Sequence, residues 1–219
     1  MIPLRDVIPS RTFPFVTITI IVLNALAWFM ELSLGPRELN RFLYVYGVVP
    51  ANFRAPTLVT SMFLHGSWTH ILGNMWYLWI FGDNVEDRCG HGRFVVFYLL
   101  CGIAAAMGQV MMNPTSTAPT IGASGAIAGV MGAYFILYPH SRVLTLIPLI
   151  IFWDIVELPA IVLLGFWFLI QLVDAGTIAA MSSGTGGGVA FAAHVVGFLV
   201  GLSSIFLFRK RERYEPWDA

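Results

Sequence analysis

The chain has 219 residues, 58% of them hydrophobic and 11% charged, with a mean hydropathy of +0.78. A water-soluble domain carries about a quarter charged residues, so this composition excludes an ordinary soluble fold and points to a polytopic membrane protein. Net charge is zero, no basic face suits nucleic acid, and the two cysteines, Cys89 and Cys101, set no disulfide framework.

In chain order, residues 1–14 read as a short cytoplasmic segment. The first apolar run, Phe15 to Leu34, has about the 20 residues of a full span, more than the short core of a signal peptide, and reads as a retained helix. Five further helices are predicted, at 68–82, 94–112, 124–139, 158–174 and 189–208. The apolar stretch "VLTLIPLIIFWDIVELP" is broken by Pro148, Asp154, Glu157 and Pro159. It reads as an interfacial loop or an extension of the fifth helix. Residues 15–208 thus form one six-helix unit, followed by a charged cytoplasmic tail at 209–219. The fold class is an all-α membrane protein.

Orientation follows from Lys and Arg, which favour the cytoplasmic side. With the N-terminus inside, the inner segments hold nine of them and the outer segments three, Arg37, Arg41 and Arg54. Both termini are therefore placed in the cytoplasm. The last outer loop, "AGTIAAMSSGTGGG" at 175–188, is Gly- and Ser-rich and reads as mobile.

Helices two, four and six all run from outside to inside, and each carries polar residues near its start. Helix two holds His70 and Asn74, helix four Ser124, helix six His194. Such groups are rare in a membrane because each needs a partner in place of water. At 1.5 Å per residue, Asn74 lies about 9 Å below a helix start at Trp68, and His194 about 7 Å below one at Val189. The fourth helix is short, covering roughly 22 Å of a hydrocarbon core roughly 30 Å thick. Its start, and with it Ser124, sinks about 8 Å below the outer surface. All three levels agree, and the loop "NPTSTAPTIGA" must dip inward to reach Ser124.

The glycines of "TIGASGAIAGVMGAYFILYP" fall into a seam. Gly125 and Gly129 stand four apart, as do Gly197 and Gly201 on helix six. Paired small residues let two helix backbones approach closely. A close crossing brings the Ser124 hydroxyl and the His194 imidazole within hydrogen-bond reach, the arrangement in which a base activates a serine nucleophile. The Ser124 amide at a helix N-terminus, with Asn74 and His70 one turn apart on one face, offers oxyanion donors. On residues alone two readings stand: a serine hydrolase site, or a polar pathway through a small transporter. No internal repeat supports the second.

These motifs resemble the rhomboid intramembrane serine proteases. The likeness covers about 15 to 210: H-x-x-x-N at His70 and Asn74, G-x-S-G at Gly122 to Gly125 with Ser124, and A-H-x-x-G-x-x-x-G at His194, Gly197 and Gly201. It implies a six-helix bundle around a short central fourth helix, with a water-filled cavity open to the outer side. It implies a Ser124–His194 dyad with no acidic third member, and an oxyanion site of Asn74, His70, the Ser124 amide and Gly122. The substrates implied are membrane-spanning segments within the lipid bilayer, cut near their outer ends, with no metal and no cofactor. The membrane implied is a prokaryotic plasma membrane. By the same likeness Trp167 and Gln171 on helix five flank the substrate path. One departure is Ala128, where many members carry an aromatic that supports the histidine ring. His65 reads as structural, and Glu86 and Arg88 as a stabilising charge network.

Overall fold

The computed structural model describes residues 1–148, 153–181 and 191–210. Strand β1 is Ile2–Asp6, and helix α1 is Phe15–Ser33. Helices α2 (Pro36–Tyr46) and α3 (Thr57–Thr60) lie in the long connection to α4 (Trp68–Cys89). Then come α5 (His91–Met112) and α6 (Ser124–Leu137). Strands β2 (Arg142–Pro148) and β3 (Trp153–Pro159) precede α7 (Ala160–Met181) and α8 (Phe191–Phe208). Among the described residues, α1, α5 and α8 are long and apolar enough to cross a membrane, and α6 and most of α7 form shorter apolar helices. The predicted loop at 175–188 begins inside α7, and its residues 182–188 lie outside the described ones, as does most of the tail, 211–219.

Burial is inverted relative to a soluble protein. Leu26, Trp79 and Leu207 are 60%, 57% and 82% exposed, whereas Thr17, Asn24, Glu31, Asn84 and Glu86 are buried. Apolar surface this extensive needs a lipid environment.

Helix α4 continues about two turns beyond its predicted end, through the charged stretch "DNVEDRC". Glu86 explains why. Helix α1 begins after Pro14 with no side-chain cap of its own. The fully buried Glu86 carboxylate supplies one, accepting the N–H groups of Val16 and Thr17 at 2.9 and 2.8 Å and the Thr17 hydroxyl at 2.7 Å. A carboxylate there also meets the positive end of the helix dipole. Glu86 thus caps α1 and also contacts His91 Nδ1, at the start of α5, at 2.5 Å.

The stretch predicted as a loop or helix extension is instead a β-hairpin. Its strands pair antiparallel from Arg142 opposite Pro159 to Pro148 opposite Trp153. β1 adds to the other edge of β2, with Ile2 opposite Leu146, giving the order β1-β2-β3. The sheet packs against α4 and α7. The Trp76 indole N–H donates to the Pro3 carbonyl at 2.7 Å, so α4 satisfies an acceptor on the edge strand. Asp6 accepts from the Tyr134 hydroxyl of α6 at 2.7 Å and from the Asn84 amide of α4 at 2.8 Å.

Burial, with a smaller contribution from nearby Asp83, raises the Asp6 carboxyl from 3.8 to about 6. A folded-state value above the unfolded one means that docking of β1 takes up a proton. Its stabilising effect is fully present below about 3.8 and is lost as pH rises through about 6. Amide exchange of β1, corrected for intrinsic rates, is expected to show more protection at pH 5 than at pH 7. Asp6→Asn is expected to flatten that difference.

Helix α6 sits at the centre, packed against α4, α5, α7 and α8, with Gly125 through Tyr134 buried. Its seam with α8 is backbone on backbone. A Cβ at Gly197 would lie 2.1 Å from the Gly125 carbonyl oxygen, and one at Gly201 would lie 1.9 Å from that of Gly129. Gly132 faces the Phe198 carbonyl in the same way, at 2.2 Å. Glycine is required at these crossings because no side chain fits.

Candidate active site

Ser124 is the first residue of α6, so its N–H has no acceptor within the helix. The loop leading to it is tied to the connection between α1 and α4. Val48 and Thr120 exchange two backbone hydrogen bonds at 3.0 and 2.8 Å, and the Ala51 N–H donates to Ser116. The Gly122 N–H donates to the Ser61 carbonyl at 2.9 Å. That bond removes Gly122 from the oxyanion donors expected from the sequence. Gly122 has another duty: its φ of +122° suits glycine, and a Cβ there would lie 2.7 Å from His70 Nε2.

The glycine seam brings Ser124 and His194 together. His194 Nε2 lies 2.8 Å from Ser124 Oγ, and the imidazole is buried. Gln171 lies 2.6 Å away on the other side of the ring, its Oε1 facing Nδ1. The family likeness named no partner for Gln171, and in the structure that partner is His194. Aromatic support for the ring comes from α7 and α8. The Trp167 ring is tilted 5.9 Å from the imidazole, and Phe191 stands edge-on at 6.2 Å. Ala128 is fully buried within the core, so no aromatic on α6 stands over the ring.

Helix α4 contributes the second wall. Ser67 caps it, accepting the His70 N–H at 3.2 Å, which fixes the helix start three residues before His70. Asn74 follows one turn later and is buried, its Nδ2 3.0 Å from His65 Nε2. His65 is itself buried, its backbone N–H held by the Glu31 carboxylate at 3.2 Å. Burial, then the nearby His70 ring, holds His65 down at about 4, so it is neutral at pH 7 and accepts from Asn74. An amide nitrogen has two hydrogens, so one remains for another acceptor. His65 and His70 meet edge to face at 5.0 Å. The Glu31–His65–Asn74 chain escaped the sequence reading, which weighed His65 alone and passed over Glu31. The signal was an acidic residue near the end of an apolar helix.

Ser124, His194, His70, Asn74 and Trp167 line one cavity of about 730 Å³, which Tyr77 borders on the α4 side. This volume lies within the range of small-molecule and peptide sites. Among the described residues no group of three or more His, Cys, Asp or Glu is set to hold a metal ion.

The model of the Rhomboid domain matches residues 52–211, most of the chain. The chain belongs to the rhomboid family. Rhomboid-like protein 11, chloroplastic, of Arabidopsis thaliana is 29% identical over 201 residues, 85% of this chain and 66% of that protein. Rhomboid protease GluP of Bacillus subtilis is 34% identical over 53% of this chain and 22% of its own length. Rhomboid protein 1, mitochondrial, of Saccharomyces cerevisiae is 29% identical over 48% of this chain and 32% of its own. This rhomboid thus spans two thirds or less of the length of these relatives. They come from bacterial, chloroplast and mitochondrial settings, so the family likeness assigns a multi-pass membrane protein without choosing the membrane.

Proposed function

We propose that this rhomboid is an intramembrane serine endopeptidase that cuts membrane-spanning segments near their outer ends. The observation that carries the reading is the 2.8 Å contact between Ser124 Oγ and His194 Nε2 at the wall of the cavity. Helices α1, α4, α5, α6, α7 and α8 are taken as six spans, with both termini inside, within a catalytic unit at 15–208 flanked by cytoplasmic segments at 1–14 and 209–219. A prokaryotic plasma membrane is the proposed location.

Ser124 Oγ attacks the scissile carbonyl while His194 Nε2 takes its proton. The tetrahedral oxyanion accepts from the Ser124 N–H, from the second Asn74 amide hydrogen and from His70. Collapse breaks the C–N bond, and the imidazolium returns the proton to the leaving amine. Water, deprotonated by the same imidazole, then releases the acyl group. The shortness of α6 sets this chemistry below the membrane surface, where a substrate helix must unwind to expose its amides.

The test uses purified protein in liposomes with a model membrane-spanning substrate. Wild type is expected to cleave it and to become labelled at Ser124 by a fluorophosphonate, and Ser124→Ala to do neither. Cleavage that survives in Ser124→Ala would sink the proposal.

A further inference from the structure

We propose that Gln171 is a positioning residue for His194, so that α7 carries a third, uncharged member of the catalytic constellation. The inference deepens the protease reading above and rests on it. Its basis is geometric. Gln171 is 7% exposed, and its Oε1 lies 2.6 Å from His194 Nδ1, on the side of the ring opposite Ser124.

A carboxamide oxygen only accepts. The proton therefore sits on Nδ1, and Nε2 presents its lone pair to the Ser124 hydroxyl. The opposite tautomer would point an N–H at Ser124 and could not take its proton. In a soluble triad a carboxylate fixes this tautomer, and an amide does so in some cysteine proteases. Within a membrane a buried carboxylate is costly, and a carboxamide meets the same geometric need without a net charge.

Trp167 lies four residues before Gln171, hence on the same face of α7. Its ring flanks the imidazole that Gln171 holds. One helix face thus stands in for both an acidic partner, which no described hydrogen bond gives His194, and the aromatic absent at Ala128. Because α7 also borders the cavity through Trp167, any displacement of α7 carries Gln171 off Nδ1 and releases the base from its tautomer.

The experiment compares wild type, Gln171→Leu and Gln171→Glu in three readouts. The first is the rate of fluorophosphonate labelling at Ser124, which reports nucleophile activation without substrate docking. Gln171→Leu is expected to label roughly 10- to 100-fold more slowly, a part of the roughly 10²–10⁴ that a general base contributes. Gln171→Glu keeps an acceptor and is expected to recover most of the rate. The second is the split between kcat and KM on a membrane-spanning substrate, where the loss is expected in kcat. The third is the ¹⁵N spectrum of the histidine rings, expected to show His194 protonated at Nδ1 in wild type and a tautomer mixture in Gln171→Leu. Unchanged labelling with a raised KM in Gln171→Leu would overturn the proposal and return Gln171 to the substrate path. An unchanged His194 tautomer in Gln171→Leu would overturn it as well. If wild type shows the Gln171-dependent tautomer but neither labels nor cleaves, the positioning role stands and the protease reading falls.

Discussion

His194→Ala is expected to abolish cleavage as completely as Ser124→Ala, and the double variant to be no worse than either. Once Nε2 is gone, nothing else described at the site can take the Ser124 proton at 2.8 Å. His70 lines the cavity from α4 with His65 against it, but among the described hydrogen bonds the Ser124 hydroxyl meets only His194. In serine proteases, loss of the serine or the histidine costs up to about 10⁶ in kcat, and the losses do not add because the pair acts as one unit. A drop of roughly four to six orders of magnitude in kcat is expected here. The check is single-turnover cleavage in liposomes with the three variants side by side. A double variant slower than either single one by a further factor of 10 or more would mean that serine and histidine act independently.

Among the described glycines, Gly201→Ala is expected to have the largest structural effect. The new Cβ would lie 1.9 Å from the Gly129 carbonyl oxygen and 2.5 Å from its carbonyl carbon and Cα. These are backbone atoms and cannot rotate away, so α6 and α8 must part. Overpacking costs about 1–3 kcal/mol where side chains can adjust, and a backbone clash belongs at the upper end or beyond. Parting the two helices also lengthens the Ser124–His194 contact. Thermal unfolding in detergent and the cleavage rate should therefore fall together. Gly165→Ala is the control: its Cβ would meet only Phe135, at an ordinary 3.6 Å. A Gly201→Ala variant as stable and active as Gly165→Ala would contradict the backbone seam.

Helices α1, α5 and α8 were legible in the sequence because each is a long apolar run, and Ser124, His194, His70 and Asn74 were legible because polar groups stand out near the starts of predicted helices. The β-hairpin was not. Its residues are apolar and β-branched, but Pro148 and Pro159 read as breaks. The strand that completes the sheet lies some 140 residues earlier, where no local pattern can reveal it. Gln171 was noticed, but its contact with His194 was not foreseen. A helical spacing shows which residues share a face, as Trp167 and Gln171 do, and leaves open what that face meets. The capping role of Glu86 was hidden for a related reason: the uncapped amides of α1 that it accepts lie about seventy positions away. Gly122 shows the limit of motif reading. Its place beside Ser124 suggested a donor, and only the fold shows its N–H committed to Ser61.

The edge strand has a consequence for biogenesis. Residues 2–6 pair with residues 143–146, so this stretch cannot reach its final place until the ribosome has delivered most of the bundle. Closing so long a loop is a late and entropically costly event. The strand therefore acts as a clasp that joins the start of the chain to the C-terminal parts of α4 and α6 only after those helices have been made.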